Sequence, residues 1–157
     1  ERKEGIRVSM FRDAQAGMTV IQVSSTEADR AAVRNALAHS SWELRQVRTV
    51  GEAVLALAAR PASVILCDRD APEGGWRAVL RAAWDMPEPP AVIVTARDPD
   101  VTFWAGAIEL GAYDVLWMPL NQEELFAVLQ SAWRARREAA RRAAKDPVPQ
   151  TRAAGWV

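Results

Sequence analysis

The sequence predicts an α/β domain built as a doubly wound parallel sheet, with five strands alternating with five helices. Three observations carry this reading. Five short apolar runs recur along the chain, each followed by residues at helical spacing, and strict alternation of strand and helix gives a parallel sheet covered by helices on both faces. Val64-Ile65-Leu66-Cys67 is an unbroken apolar run of the kind a strand buried on both faces requires. The run ends abruptly in Asp68, and open α/β sheets collect their ligands at the carboxyl ends of their strands. Asp68 is therefore where a reactive group would be displayed.

A chain of 157 residues suits one domain with tails. Half of it is apolar and a quarter charged, an ordinary globular composition. The formal net charge is zero, so nothing global points to nucleic acid or to an anionic membrane. No apolar run approaches a membrane span and no signal-peptide pattern opens the sequence. The single cysteine leaves no internal disulfide and fits a reducing, cytoplasmic setting. Cys67 lies inside the predicted strand and reads as a buried small hydrophobe rather than a nucleophile. With one His and one Cys, no standard His/Cys metal site can be assembled. His39 falls at a helix end beside no strand edge, which leaves no Ser–His–Asp arrangement.

Each element has a local reason. Residues 1–18 are polar, mixed in charge and without apolar period, and are read as an N-terminal tail. Val20 to Val23 form the first strand. Thr26 with Asp29 resembles a helix-start signature, and Ala32, Val33, Ala36 and Leu37 recur at helical spacing up to His39. Trp42, Leu44 and Val47 suggest the second strand. Thr49-Val50-Gly51-Glu52 is a capping-box pattern opening a helix that Pro61 closes. The third strand spans Ser63 to Asp68, and the helix after Gly75 reaches about Trp84. Met86 to Pro90 holds three prolines and makes a stiff connection. Ala91 to Thr95 is the fourth strand, and the helix from Asp100 to Leu110 ends at Gly111. Tyr113 to Trp117 is the fifth strand, cut off by Pro119. Asn121 and Glu124 cap a last helix with an apolar stripe of Leu125, Val128, Leu129, Ala132 and Trp133. Pro147 and Pro149 mark its outer limit. The domain is thus residues 19–133, and residues 134–157 form a basic helical extension and C-terminal tail.

On these residues the chain resembles the receiver domains of two-component response regulators. Asp68 matches the phosphoacceptor position, and Pro72 follows four residues later. Gly75 matches the family's glycine if the loop is one residue shorter. Thr95-Ala96 fits the hydroxyl-plus-small pair that contacts the phosphoryl group. Gly111-Ala112, Asp114 and Met118-Pro119 follow the family's Gly-Ala to Lys-Pro ending. The resemblance covers about Thr19 to Trp133. It implies a flavodoxin-like five-stranded fold of strand order 2-1-3-4-5, a place in phosphorelay signalling, and no enzyme activity of its own.

The departures from that family pattern matter as much. Where the family places two acids that hold magnesium, this chain has Ser24 and Ser25. Its lysine is replaced by Met118, and its switch aromatic falls on Val115. Attack of a carboxylate on a phosphoryl group brings negative charges together, so catalysis is mostly positioning and charge neutralisation. A bound magnesium supplies several kcal/mol of this. Serine hydroxyls bind it poorly, and Met118 supplies no charge. No metal or other cofactor is therefore expected, and Asp68 is expected to accept phosphate slowly or not at all. The competing reading is a working regulator phosphorylated on Asp68, with magnesium held through Glu27, Asp70 or Asp98, and standing as the regulatory part of a longer transcriptional regulator or kinase. Ser24-Ser25-Thr26 also resembles the start of a flavodoxin phosphate loop. That loop needs glycine next for close backbone approach, and Glu27 follows instead.

These residues point to a pseudo-receiver that acts by protein–protein contact, with a sensor kinase, an output domain or a second copy as partner. By strand period, Tyr113, Val115 and Trp117 share one side; with Val115 at the outward switch position, Trp117 points outward as well. Phe103 and Trp104 extend that surface on the preceding helix, and aromatic residues are favoured interface anchors. The Arg-rich end carries no nucleic-acid motif, and neither a membrane nor a nucleic acid is expected as a partner of this domain.

Overall fold

Along every strand, alternate side chains enter one of two apolar cores. The computed structural model describes residues 17–145. In chain order the elements are β1 (Thr19–Val23), α1 (Glu27–Leu37), β2 (Glu43–Val47), α2 (Val50–Ala59), β3 (Val64–Asp68), α3 (Gly75–Trp84), β4 (Ala91–Ala96), α4 (Val101–Glu109), β5 (Asp114–Trp117) and α5 (Gln122–Lys145). The strands form one parallel sheet of order β2-β1-β3-β4-β5, the flavodoxin-like topology expected from the sequence. Ile21, Val23, Ile65, Cys67, Val92, Val94 and Val115 face α2, α3 and α4. Val20, Val64, Leu66, Ile93 and Leu116 face α1 and α5. β3 lies in the middle of the sheet, and Val64 to Cys67 are all buried. An unbroken apolar run is what covering on both faces demands.

Three helix starts are closed by side-chain caps, while Gly74 before α3 and Thr26 before α1 make none. Thr49 Oγ1 accepts the Glu52 amide at 3.1 Å, while the Glu52 carboxylate reaches back to the Arg48 amide at 2.7 Å. Asp100 Oδ1 accepts the amides of Thr102 and Phe103, and Asn121 Oδ1 that of Glu124 at 3.0 Å. Thr26 makes no side-chain cap bond, so the Thr26–Asp29 signature is not a capping box. Asp29 is engaged elsewhere, as described below.

One boundary differs from the sequence reading, while the last helix continues past Trp133 as that reading has it. Met18, which the sequence pattern puts in the tail, is 1% exposed in the α1/α5 core, and its carbonyl accepts the Glu43 amide at 3.0 Å. An unbranched side chain at the mouth of the core fills space that the short β1 leaves. The last helix runs without a break past Trp133 to Lys145. The rest of the tail and the limit at Pro147 and Pro149 lie outside the described residues.

The turn from β3 to α3 carries three consecutive residues of positive φ: Glu73 (72°), Gly74 (121°) and Gly75 (69°). A Cβ on Gly75 would come within 2.8 Å of the Arg69 carbonyl oxygen. Glu73, strained as a non-glycine, uses its carboxylate to accept the Gly51 amide at 2.9 Å, and the Pro72 carbonyl accepts the Val50 amide at 3.0 Å. The turn after Asp68 is thereby tied to the start of α2.

Gly75→Ala is expected to lower stability by about 1–3 kcal/mol, because left-handed backbone strain adds to a clash with backbone. Gly106→Ala, in α4 with nothing within 4 Å of the new methyl, is expected to raise it by up to about 1 kcal/mol. Urea denaturation midpoints of the two variants should move in opposite directions.

Candidate functional site at Asp68

The β3–β4 register sets Asp68 beside Thr95 at the last rung of the pair. By the two-residue period both side chains fall on the α1/α5 side of the sheet, after Val64, Leu66 and Ile93. Thr95, 3% exposed, donates its hydroxyl to Asp68 Oδ1 at 2.5 Å. The Arg69 amide donates to the Thr95 carbonyl at 2.9 Å, so the rung continues into the turn. Asp68 and Thr95 border a cleft of about 280 Å³ together with Ser25, Asp29, Asp70, Arg97 and Met118, among others. Met118, half-buried at the end of β5, contributes an apolar thioether to its wall. The structure therefore brings together five of the site candidates singled out in sequence around Asp68: Thr95, Ser25, Asp70, Asp98 and Met118.

Ser24 and Glu27 do not border the cleft. Ser24 is fully buried. Its hydroxyl accepts the Thr26 amide at 3.3 Å and its carbonyl accepts Arg30 Nη1 at 2.7 Å. The Glu27 carboxylate pairs with Arg30 at 2.6 Å and with Arg34 at 3.1 Å. Hydrogen bonds from Arg30 and then Arg34 hold its carboxyl below the usual carboxylate range. Glu27 thus closes a surface ion-pair network on α1, which corrects its candidacy as a metal ligand.

The charged residues that sequence reasoning missed are Asp29 and Arg97. Asp29, its side chain 10% exposed, accepts Arg97 Nη2 at 2.6 Å across the cleft. Arg97 directly follows the Thr95-Ala96 pair, and a cation one residue beyond a strand end beside an acidic cleft was the available signal. Arg69 also borders the cleft, with its guanidinium over the Phe103 ring, 4.1 Å from the centroid.

These donors do not fit a magnesium ion of the kind the family resemblance implies. That ion is held by carboxylates in near-octahedral geometry. The two positions at the end of β1 offer a hydroxyl committed to backbone and an exposed neutral one, and Asp29 is held by a guanidinium. Among the described residues no three His, Cys, Asp or Glu side chains come together as a metal cage.

The aromatic surface also differs from expectation. Val115 is 4% exposed within the α2–α4 core. Trp117 packs against the same core, and Phe103 joins Trp76 and Trp117 edge-on at centroid distances of 5.8 and 6.5 Å. Tyr113 lies just before β5, where the strand period does not yet hold, and packs toward the opposite core. Its hydroxyl meets Ser131 Oγ at 2.5 Å. So Tyr113, Val115 and Trp117 do not share an outward side. Trp104 is exposed, with its indole N–H donating to Asp114 Oδ1 at 3.4 Å.

Burial, and secondarily the neighbouring Asp68 carboxylate, push the Cys67 thiol well above its ordinary pKa. Iodoacetamide at about pH 8 should leave the folded protein unmodified and alkylate it fully in guanidinium, as read by intact mass. Arg97→Ala leaves Asp29 buried without its cation. It is expected to cost about 1 kcal/mol, limited by the 61% exposure of Arg97 and smaller at high salt. Urea unfolding at two ionic strengths checks it.

Neither a family model nor a curated protein matches this sequence. Solved structures do match in three dimensions. The signal receiver domain of an HD domain-containing protein from Pseudomonas fluorescens aligns with a TM-score of 0.72 at 24% identity, over 80% of this chain and 93% of that one. A response regulator from Thermotoga maritima aligns at 0.68 and 20%, over 74% and 98%. The receiver domain of a signal transduction histidine kinase from Syntrophus aciditrophicus aligns at 0.66 and 20%, over 76% and 92%. The fold of this chain is that of the receiver domains of two-component response regulators.

Proposed function

We propose that this domain is a pseudo-receiver: a signalling module that relays information by binding a protein partner rather than by forming a magnesium-dependent aspartyl phosphate. One observation supports it most. The cleft at Asp68 keeps the acceptor and its Thr95 hydroxyl, but the groups that would neutralise an incoming phosphoryl group are replaced by Ser24, Ser25 and Met118. Of the two guanidiniums bordering the cleft, that of Arg97 is engaged by Asp29 and that of Arg69 lies over the Phe103 ring. Phosphoryl transfer depends on positioning and on charge neutralisation together, and only the first is retained. Histidine-kinase, output-domain or second-copy partners remain within this reading, on the strength of the fold alone.

The contact surface assigned to this reading is the groove between α4 and α5 over β5, bordered by Trp104, Ile108, Tyr113 and Val128. It replaces the Trp117 side, whose rings pack inward. Aromatic and aliphatic residues around a groove are what interface anchors need.

Incubation with acetyl phosphate and magnesium, followed by intact mass, is expected to leave the protein unmodified. Addition of one phosphoryl group, absent in Asp68→Asn, would instead establish the second reading, a working phosphoacceptor, which the intact Asp68–Thr95 pair favours.

A further inference from the structure

Between α3 and the C-terminal end of α4 lies an apolar groove of about 370 Å³ bordered by Arg77, Leu80, Arg81, Trp84 and Leu110. Trp84 is 55% exposed and Leu110 44%. The Trp84 ring is held in place by the turn after α4, since a Cβ on Gly111 would lie 2.8 Å from its Cζ2. Leu80 is buried beneath them. No carboxylate borders the groove. Arg77 meets only the ring of Trp76, at 5.5 Å, and Arg81 makes no hydrogen bond or ion pair within the described residues.

We propose that this groove docks an acidic segment of a partner protein, with one apolar side chain lying against Trp84 and Leu110 and carboxylates on Arg77 and Arg81. The two arginines stand four residues apart on α3, which sets their Cβ atoms about 5–6 Å apart. Acids four apart on a helix or two apart on an extended strand, about 6–7 Å, match that spacing. Trp and Arg are the side chains most enriched where binding energy concentrates, and an arginine fork pairs with carboxylates in a way few other groups can. A second copy seated through the same patch would set Arg77 and Arg81 against themselves. A flat anionic bilayer would also press on exposed Asp85 and Glu109, each next in sequence to a bordering residue.

This inference is independent of whether Asp68 accepts phosphate, because the groove shares no residue with that cleft. The test is two-dimensional NMR on the full chain. A synthetic leucine-anchored peptide with glutamates four residues apart is titrated in, and the Trp84 indole N–H is followed. Shifts centred on Trp84, Leu110 and Arg81 are expected, with affinity about tenfold weaker in Arg81→Glu and restored toward a lysine-for-glutamate peptide. That charge swap at an exposed site leaves the fold intact, which thermal melting verifies. The proposal is overturned if the peptide shifts nothing, or shifts the cationic end of α5 instead. It is equally overturned if the same signals move with protein concentration alone, or with phosphatidylserine vesicles and not with the peptide.

Discussion

The buried β3 strand is the constraint on which the rest of the molecule depends. Four consecutive apolar residues in the central position of a parallel sheet must be covered from both sides. That demand calls for α1 and α5 on one face and α2, α3 and α4 on the other. It also decides where chemistry is displayed. Asp68 is the first residue of the strand that does not belong to the interior, and the β4 register delivers Thr95 to its side. A slip of one residue in that pairing would turn every side chain of β4 to the other face, so the hydrogen bond between Thr95 and Asp68 is a consequence of how the two cores divide the apolar residues.

The same packing explains why the cleft holds what it does. Beyond Val23, which pairs with Cys67, the chain must turn into α1. Ser24 makes that turn by lending its hydroxyl to the Thr26 amide while Arg30 takes its carbonyl. These bonds satisfy buried polar groups that would otherwise cost about 1–3 kcal/mol each. The position is thus occupied by a structural solution, with a cation beneath it already paired to Glu27. Asp29 and Arg97 close the other flank. Within the cleft Asp68 is bonded to Thr95 and Asp29 to Arg97, and Met118 lowers the polarity of the wall.

Most of the fold was legible in the sequence because its signals are local and reinforce one another: apolar runs of strand length, capping residues at Thr49 and Asn121, and glycine or proline at the stops. The position of Asp68 and its pairing with Thr95 were legible for the same reason, as both are strand ends in an alternating pattern. What was not legible is what tertiary contacts decide. Thr26 and Asp29 look like a cap, yet Arg97, 68 positions away, claims the carboxylate. Tyr113, Val115 and Trp117 alternate like a strand, yet β5 begins only at Asp114 and is covered by α4, whose Phe103 meets Trp117 edge-on. Period alone says which residues share a face, and does not say whether a helix lies over that face.

That last distinction separates the two ends of the molecule. At the carboxyl ends of the strands, polar and charged groups find partners within the chain: Thr95 with Asp68, Asp29 with Arg97, Glu73 with the Gly51 amide. Between α3 and the C-terminal end of α4, Trp84 and Leu110 remain exposed beside Arg81, for which no partner exists among the described residues. An exposed aromatic beside a guanidinium without an ion-pair partner among the described residues is the less self-satisfied arrangement, since apolar area stays in water. This fold thus holds the carboxylate at the end of its central strand in a side-chain rung while apolar area on its helices stays exposed. In this chain the carboxylate at the end of β3 anchors a closed network, and the open valences are on α3 and α4.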